Sequence, residues 1–507
     1  RHASRRLTHR NFLASYKAVL APGGSIEIRT DNKELFDFTL CEAEAAGLFT
    51  ENITEDLHGS DIIKDGIMTE YEEKFSSMGK KIKYVKLIKQ KEGDYKKMAE
   101  YIMAEKNNRM IPEEDKIFAL NARAKKMAEE AGRDKVVNAT IGSLLDDDGK
   151  LVVLLSVVKA LKELEPLDFA EYAPIGGTPG FKKAVIKAAF GKHISSSFVE
   201  VVATPGGTGA LRNIVANYSK IGDKVLTSDW FWGPYKTITG ELYRELCVYP
   251  MFDENNRFNR KGFSEELNKL AKEQESVLIL LNTPSHNPTG YSLDEDDWNA
   301  VSEAVKEAAE KARITLFVDA AYIDFAGDEE EHRTFLPKLE NLPSNVLPVI
   351  GYSFSKTFTL YGMRCGAMIA MAPSAEIAAE FKLVNEFSAR GTWSNSTRSG
   401  QVLVSKVYED EDLLESVNKE RAGYRQMLIK RGKTFSDAVI EAGLPLVPFD
   451  SGFFSCIPVK DPAAVSKRLE EKGIFVVPLA KGIRISVASV SEEVCGKLPG
   501  MIAEAMK

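Results

Sequence analysis

Lys356 lies in the stretch of sequence best suited to chemistry, Ser353-Phe-Ser-Lys356-Thr-Phe-Thr-Leu-Tyr-Gly-Met-Arg364-Cys-Gly366. A lysine amine can form a Schiff base with an aldehyde, so Lys356 is a candidate for holding an aldehyde cofactor. Ser353 and Arg364 could hold that cofactor's phosphate, because a planar guanidinium binds phosphate through two parallel hydrogen bonds. An isolated lysine in a Gly/Ser loop is more often a surface residue, but this flanking pattern favours the cofactor interpretation.

The same stretch resembles the cofactor-lysine motif of fold-type I, pyridoxal-phosphate-dependent aminotransferases, and more narrowly that of the aspartate/aromatic branch. The resemblance runs from about residue 112 to the C-terminus and includes the turns 204–209 and 286–290. It implies pyridoxal 5'-phosphate as the cofactor and an α/β fold. A large domain (166–389), with a mostly parallel seven-stranded sheet between helices, would join a smaller α/β domain built from both chain ends (112–165 and 390–507).

The resemblance also assigns roles to individual residues. The implied catalytic residues are Lys356, Asp319 and Tyr322. The implied cofactor-binding residues are Gly207, Thr208, Trp232, Asn287, Ser353, Arg364 and Tyr172. The implied substrate-binding residues are Arg484, Arg390, Gly142 and Phe454.

The ring of the cofactor explains four of these assignments. A carboxylate at Asp319 would pair with the protonated pyridine nitrogen and keep the ring an electron sink. A strand-terminal aspartate is commonly a helix cap, but its position 37 residues before Lys356 favours the cofactor role. Tyr322 and Asn287 resemble the groups that hydrogen-bond the ring oxygen, and Trp232 resembles the aromatic residue that stacks on the ring. Trp230 is the competing register, and a core tryptophan is the alternative.

The phosphate and the neighbouring subunit explain others. The turn Thr204-Pro-Gly-Gly-Thr-Gly209 enters a helix, where glycines let backbone N–H groups approach a phosphate. Gly206 stands where relatives carry serine, so one phosphate hydroxyl is expected to be absent. Tyr172 resembles the tyrosine that reaches the phosphate from the neighbouring subunit, which implies an obligate homodimer with shared sites.

Two arginines are expected to recognise the substrate. Arg484 resembles the residue that clamps the substrate α-carboxylate. Arg390 resembles the partner-subunit arginine for the side-chain carboxylate, although Ser396 replaces the usual proline nearby; an exposed helix-end arginine is the alternative. Phe454 would line the pocket or simply pack in a strand.

The implied reaction is a ping-pong transamination between an L-amino acid (aspartate/glutamate or aromatic) and a 2-oxo acid, with Lys356 shuttling a proton. The amino-donor preference stays open.

The elements that position these residues are predicted to alternate between strands and helices. Apolar runs occupy 198–203, 224–227, 276–282, 315–319 and 346–352, separated by amphipathic patterns. This alternation is typical of a parallel, doubly wound α/β sheet, in which ligands bind at the carboxyl ends of strands. The motif residues fall at those ends.

Composition excludes several classes of protein. The 507 residues suggest about three domains, and a formal net charge of −7 argues against nucleic acid as the partner of the whole chain. No apolar run approaches the ~18 residues of a membrane span. The five cysteines are widely spaced and form no CxxC pair, which favours reduced thiols in the cytoplasm and predicts no metal site.

Residues 1–90 resemble something unrelated, the C-terminal half of bacterial tRNA (guanine-N7)-methyltransferases. The resemblance rests on a basic stretch at 1–6 and on two motifs. The motifs supply a possible relic of a tRNA- or guanine-binding site at Asp31, Thr69, Glu70, Tyr71 and Glu72. The half that should bind the methyl donor is absent and the chain opens without methionine, so we expect a fragment that does not transfer methyl groups. A charged linker, 91–111, is predicted to follow.

Three other functional readings compete with transamination. A tRNA-modifying or tRNA-binding protein would use residues 1–90. A pyridoxal-phosphate-sensing transcription regulator would carry an N-terminal winged helix-turn-helix, which residues 1–90 do not resemble. A lyase or racemase on the same fold is the last alternative, and Arg364, Arg390 and Arg484 together favour transamination over it.

Overall fold

The computed structural model describes residues 7–21, 24–46, 48–60, 62, 68–89, 103–109, 115–327 and 331–506. The basic stretch 1–6 and most of the predicted linker lie outside the described residues. The chain divides into an N-terminal unit, residues 1–105 with 111–113, and a larger unit, residues 106–110 with 114–507. None of the described helices has the length and apolar character that crossing a membrane requires. The described residues also contain no group of three or more His, Cys, Asp and Glu side chains arranged for a metal ion.

The N-terminal unit contains a three-stranded antiparallel sheet with the order β1-β3-β2. In chain order its elements are α1 (Arg10–Val19), β1 (Ser25–Thr30), α2 (Lys33–Ala45), β2 (Phe49–Thr54), α3 (Glu70–Ser77) and β3 (Lys83–Ile88). The alternation of residues 82–89 predicted a strand with one face in water. Instead β3 is the central strand, with Val85 and Leu87 in one apolar cluster and Tyr84 in another. Leu57, from a distant part of the chain, helps Ile82 to bury Tyr84, which local alternation does not reveal, while Lys86 on the same face stays partly exposed beside Glu51.

The larger unit alternates helices and strands. Its helices are α4 (Lys116–Ala131), α5 (Leu155–Lys162), α6 (Pro166–Ala170), α7 (Pro179–Phe190), α8 (Gly206–Asn217), α9 (Pro234–Glu241), α10 (Arg260–Glu273), α11 (Glu295–Ala309), α12 (Phe354–Thr357), α13 (Ala375–Thr392), α14 (Arg398–Glu409), α15 (Glu411–Glu441), α16 (Pro462–Glu471) and α17 (Glu492–Met506). Its strands are β4 (Val137–Asn138), β5 (Phe198–Thr204), β6 (Lys224–Ser228), β7 (Glu245–Tyr249), β8 (Ser276–Asn282), β9 (Arg313–Asp319), β10 (Val346–Ser353), β11 (Gly366–Ala372), β12 (Phe454–Pro458), β13 (Ile474–Phe475), β14 (Val477–Pro478) and β15 (Gly482–Ser486). Short 3-10 turns include Ile323–Phe325, Glu331–Arg333 and Tyr361–Met363.

A seven-stranded sheet with the order β5-β11-β10-β9-β8-β6-β7 forms the centre of this unit. Neighbours pair in parallel except at β11, which runs antiparallel to both β5 and β10. Large apolar clusters cover both faces of the sheet. Strands buried on both faces appear as continuous apolar runs. The prediction of a mostly parallel α/β sheet is therefore confirmed.

The carboxyl ends of the parallel strands meet at one edge of the sheet. β8 ends at Asn282, which pairs with Asp319 at the end of β9, and Asp319 pairs with Gly351 near the end of β10. The residues that follow these strands are therefore neighbours in space although they are far apart in sequence.

A smaller antiparallel sheet with the order β12-β15-β14 comes from the C-terminal part of the chain. A parallel pair, Val137 with Ile474, brings residues near 140 beside this sheet. The backbone N–H of Ser486 also donates to the carbonyl of Ala139 at 2.9 Å. Residues before the large sheet and residues after it are thus packed together, as the resemblance implied.

Candidate active site

Lys356 lies in the four-residue helix α12, directly after β10. Its Nζ donates to the carbonyl of Gly142 at 2.5 Å and lies 4.5 Å from the ring centre of Tyr361. Burial lowers the pKa of Lys356 to about 7, and the positive charges of Arg484 and Arg364 add to that effect. Near neutral pH a large share of the amine is therefore unprotonated and able to act as a nucleophile or a base.

Asp319 ends β9 and is held by a residue that the sequence analysis missed. The hydroxyl of Tyr235 donates to Asp319 Oδ2 at 2.7 Å, and Asn282 Nδ2 donates to the Asp319 carbonyl at 2.8 Å. Burial raises the pKa of Asp319 to about 6, while the hydrogen bond from Tyr235 lowers it. Tyr235 is the second residue of helix α9, directly after Pro234. Its spacing of three residues from Trp232 is the one signal that could have found it.

Tyr322, Asn287 and Arg484 form a connected group. Asn287 Nδ2 donates to the Tyr322 hydroxyl at 3.2 Å, and Arg484 Nη1 donates to Asn287 Oδ1 at 3.3 Å. Burial raises the pKa of the Tyr322 phenol, and Arg484 and the Asn287 hydrogen bond act in the opposite direction. Turns after two different strands and a strand of the smaller sheet are thus tied together at this point.

The glycine-rich turn and Arg364 form a cradle. A Cβ added at Gly206, whose φ is +72°, would lie 2.5 Å from the Arg364 guanidinium. A Cβ added at Gly207 would lie 3.6 Å from the Cβ of Ser353, so glycine leaves space there. Arg364 Nη1 donates to the hydroxyl of Ser355 at 3.0 Å, and Ser355 was not singled out from the sequence. A guanidinium, two serine side chains and the N-terminus of α8 converge here, a combination suited to a phosphate.

The cradle also explains why glycine suits position 206. Its positive φ favours glycine, and the guanidinium occupies the space that a side chain would need. Thr208 lies in the first turn of α8, where its backbone N–H is one of the groups at the helix N-terminus.

Arg484 lies on β15 with 3% of its surface exposed. Its Nη2 donates to the Thr140 carbonyl at 2.8 Å, and its guanidinium carbon lies 4.2 Å from the ring centre of Phe454. Its Nε is buried without a hydrogen-bond partner among the described residues. Burial lowers the pKa of Arg484, and the two acceptors of its hydrogen bonds, Asn287 Oδ1 and the Thr140 carbonyl, are both uncharged. This arrangement suits a carboxylate ligand.

Gly142 is where the N-terminal part of the larger unit closes on the site. A Cβ there would lie 2.8 Å from Phe454 Cζ and 3.7 Å from Lys356 Nζ. Any larger residue would displace one of these side chains, so glycine is required by the packing.

The two tryptophans, Trp230 and Trp232, lie in different environments. Trp230 is buried in an apolar cluster with Met251 and Val447. Trp232 is partly buried and meets Tyr235 edge to face at 5.8 Å between ring centres. Because Tyr235 contacts Asp319, the geometry favours Trp232 as the residue at the site.

Two predicted site residues lie elsewhere on the single chain. Tyr172 is 88% exposed. Arg390 is exposed near the end of α13 and donates to the hydroxyl of Ser394 at 2.6 Å. The structure of one chain does not bring either residue to Lys356, and both had been expected to act on the neighbouring subunit.

In the N-terminal unit, the predicted relic residues bond mostly to one another. Asp31 accepts from the Tyr71 hydroxyl at 2.5 Å and from Lys80 at 2.9 Å. Thr69 and Glu72 form a capping box that begins α3. Glu70 is exposed in the first turn of that helix. Capping explains Thr69 and Glu72 without any ligand.

The chain is similar to known proteins over most of its length. A family model described as aminotransferase class I and II matches residues 134–501, and a methyltransferase family model matches residues 1–85. The chain is 28% identical over 386 residues to the mitochondrial aspartate aminotransferase of Arabidopsis thaliana, covering 73% of this chain and 86% of that protein. It is 29% identical over 377 residues to the aromatic-amino-acid aminotransferase of Escherichia coli (strain K12), covering 72% and 91%.

Solved structures show the same likeness. An aminotransferase from Anaerococcus prevotii superposes with a TM-score of 0.78 at 36% identity, covering 80% of this chain and 100% of that one. The aromatic-amino-acid aminotransferase of Burkholderia pseudomallei, covalently bound to pyridoxal phosphate, superposes with a TM-score of 0.67 at 25% identity, covering 80% and 100%.

Proposed function

The chain belongs to the class I and II aminotransferases, and we propose that it moves amino groups between 2-oxo acids and L-amino acids of the aspartate/glutamate or aromatic type. The cofactor is pyridoxal 5'-phosphate. One observation carries the proposal: the amine of Lys356 is buried where Arg484 and Arg364 both act on it, which helps to lower its pKa to about 7. A lysine whose amine is influenced by two guanidinium groups suits a ligand that carries both a phosphate and a carboxylate.

The residues present fit this cofactor. The space at Gly207 would receive the phosphate beside Ser353 and Arg364. Asp319 would bind the ring nitrogen. Its carboxylate is buried at the end of β9, and the hydrogen bond from the Tyr235 hydroxyl holds it there. Tyr322 and Asn287 would hold the ring oxygen and Trp232 would cover the ring.

The bound cofactor supplies an electron sink for the negative charge that develops at the α-carbon of the amino acid. Arg484 orients the substrate, because its guanidinium can take the α-carboxylate through two parallel hydrogen bonds. Lys356 would take the proton from the α-carbon of the amino acid and give it to the cofactor carbon bonded to the amino nitrogen, which its lowered pKa permits. Phe454 stacks on Arg484 at 4.2 Å and keeps water from that guanidinium.

A homodimer is part of the proposal. Large apolar side chains on α5, α6 and α13, and one before α5, are exposed on the single chain: Leu151, Leu155, Leu167, Phe169, Leu383 and Phe387. A second copy of the chain would cover such residues. Tyr172 and Arg390 would then reach the partner's phosphate and substrate side chain. The five cysteines are all unpaired, which supports a cytoplasmic location.

The experiment mixes the purified full chain with pyridoxal phosphate and then with aspartate and 2-oxoglutarate. We expect the visible absorbance of a lysine-bound cofactor, its loss on adding aspartate, and formation of glutamate. Lys356→Ala should abolish both signals. Lys150→Ala is the matched control, since Lys150 is a surface lysine with 76% of its side chain exposed, and it should keep both. Turnover by Lys356→Ala at the wild-type rate would refute the proposal. A spectral change with tyrosine and none with aspartate would assign the aromatic substrates.

A further inference from the structure

A buried carboxylate that this reaction does not use lies directly behind the site. Asp324 sits in the turn Ile323–Phe325, two residues after Tyr322 and five after Asp319. Its side chain is 1% exposed. Taking a carboxylate out of water is unfavourable unless it is paired and hydrogen-bonded. A charge in this position therefore has to be held in place by specific partners.

Both oxygens of Asp324 are engaged. Oδ1 accepts from Arg333 Nη2 at 2.8 Å. Oδ2 accepts from the hydroxyls of Tyr352 at 2.5 Å and Thr357 at 2.6 Å. Arg421 Nη1 lies 3.9 Å from the same oxygen. One carboxylate thus joins the turn after Tyr322 to the end of β10, to α12 and to α15.

The bond to Thr357 is the one that reaches the chemistry. Thr357 follows Lys356 in helix α12, whose N-cap residue Ser353 makes no side-chain capping bond. A helix of four residues has little stability of its own, so tertiary contacts decide its orientation. We propose that Asp324 is a positioning residue, which orients the amine of Lys356 by holding Thr357. Asp319 and Tyr322 precede Asp324 in the same short segment, so the lysine and the ring-binding groups share one anchor.

Arg333 and Arg421 keep Asp324 in its ionised state. Burial by itself raises the pKa of Asp324. Arg421, Arg333 and the two hydroxyls together lower it by more, so the pKa lies well below its usual range. An ionised carboxylate can only accept hydrogen bonds. The hydroxyl of Thr357 must therefore donate to Asp324, which fixes the rotation of its side chain.

The test removes that one hydroxyl from the full-length protein loaded with pyridoxal phosphate. Thr357→Val keeps the shape of the side chain but loses the donor, and Thr357→Ser restores it. We expect Thr357→Val to lower kcat by about tenfold to a hundredfold, because a misplacement of about 1 Å can cost about a hundredfold. We also expect it to shift the pH midpoint of the cofactor's visible absorbance, and Thr357→Ser to recover both values.

Tyr352→Phe is the matched control, since it removes a hydroxyl from the same oxygen of Asp324 and leaves the hydrogen bond from Thr357 to Asp324 in place. It also removes the longer contact, 3.4 Å, between the Tyr352 hydroxyl and Thr357 Oγ1. It should lower Tm as Thr357→Val does, with the absorbance midpoint in place and a much smaller loss of kcat. If the two variants lose kcat in parallel with Tm, or if Thr357→Val keeps the wild-type midpoint and kcat, Asp324 serves only the fold and the inference is refuted. The inference rests on the proposed role of Lys356, whose failure would show separately as a wild-type protein without cofactor absorbance.

Discussion

Replacing Tyr235 with phenylalanine isolates the hydrogen bond that controls Asp319. The phenol donates to Oδ2 at 2.7 Å, and the two side chains are 1% and 7% exposed. A hydrogen bond to a charged group contributes about 1.5–3 kcal/mol, and about 1.4 kcal/mol corresponds to one pH unit. The bond stabilises the ionised form. Its loss should therefore raise the pKa of Asp319 from about 6 by about one to two pH units.

The consequence for activity depends on pH. At pH 7 a carboxyl with a pKa of about 6 is about nine-tenths ionised, whereas the variant carboxyl would be about one-tenth to one-half ionised. If ionised Asp319 is needed at the ring nitrogen, kcat should fall about twofold to tenfold at pH 7 and recover near pH 9. A positive charge on the cofactor ring would lower the pKa of Asp319 in the wild type and in the variant by the same amount. The quantity to measure is therefore the displacement along pH between the two kcat profiles.

The assay is transamination of aspartate with 2-oxoglutarate, followed from pH 6 to pH 9 for wild type and Tyr235→Phe. Tyr249→Phe is the control, because Tyr249 is another buried phenol and packs against Phe258 and Phe263. Its profile should overlay the wild type. A loss of kcat in Tyr235→Phe that is equal at pH 6 and pH 9, or no displacement of the profile, would refute the reasoning.

Three further predictions concern the cations of the site. Arg484→Lys should lower kcat/KM for aspartate and phenylalanine alike by about tenfold to a hundredfold, because lysine cannot make the two parallel hydrogen bonds to a shared α-carboxylate; an effect on only one substrate would contradict this role. In cofactor-free protein, acylation of Lys356 by acetic anhydride, measured by peptide mass spectrometry, should increase as the pH rises through about 7, because a lowered pKa leaves the amine neutral above that pH. Acylation of an ordinary exposed lysine should increase only near about pH 10.4. Lys481 pairs with Asp229, which precedes Trp232, so Lys481→Ala should raise KM by less than about fivefold. Added salt should raise the wild-type KM towards that of the variant. A difference in KM that does not depend on salt would contradict the ion pair.

Sequence patterns located most of the central sheet. β8 has its predicted bounds, and the other four predicted strands differ by one or two residues at an end. β7 and β11 were missed. β7 (Glu245–Tyr249) is a short, partly exposed edge strand. β11 (Gly366–Ala372) contains three alanines and one glycine, residues with low strand preference, and its burial between β5 and β10 makes it a strand.

The amino-acid sequence alone determined the chemistry, because a lysine flanked by serine and arginine, an aspartate after an apolar run and a glycine-rich turn are local patterns. Tertiary structure decided which groups hold those residues. Tyr235 on Asp319 and Asp324 on Thr357 join positions 84 and 33 residues apart. Neither pair has a local signature, since a phenol in a helix or a carboxylate in a turn acquires its partner only when distant strands end at the same edge of the sheet. The same packing buries Lys356 near two arginines and so lowers its pKa, an effect of desolvation and charge that no sequence spacing expresses.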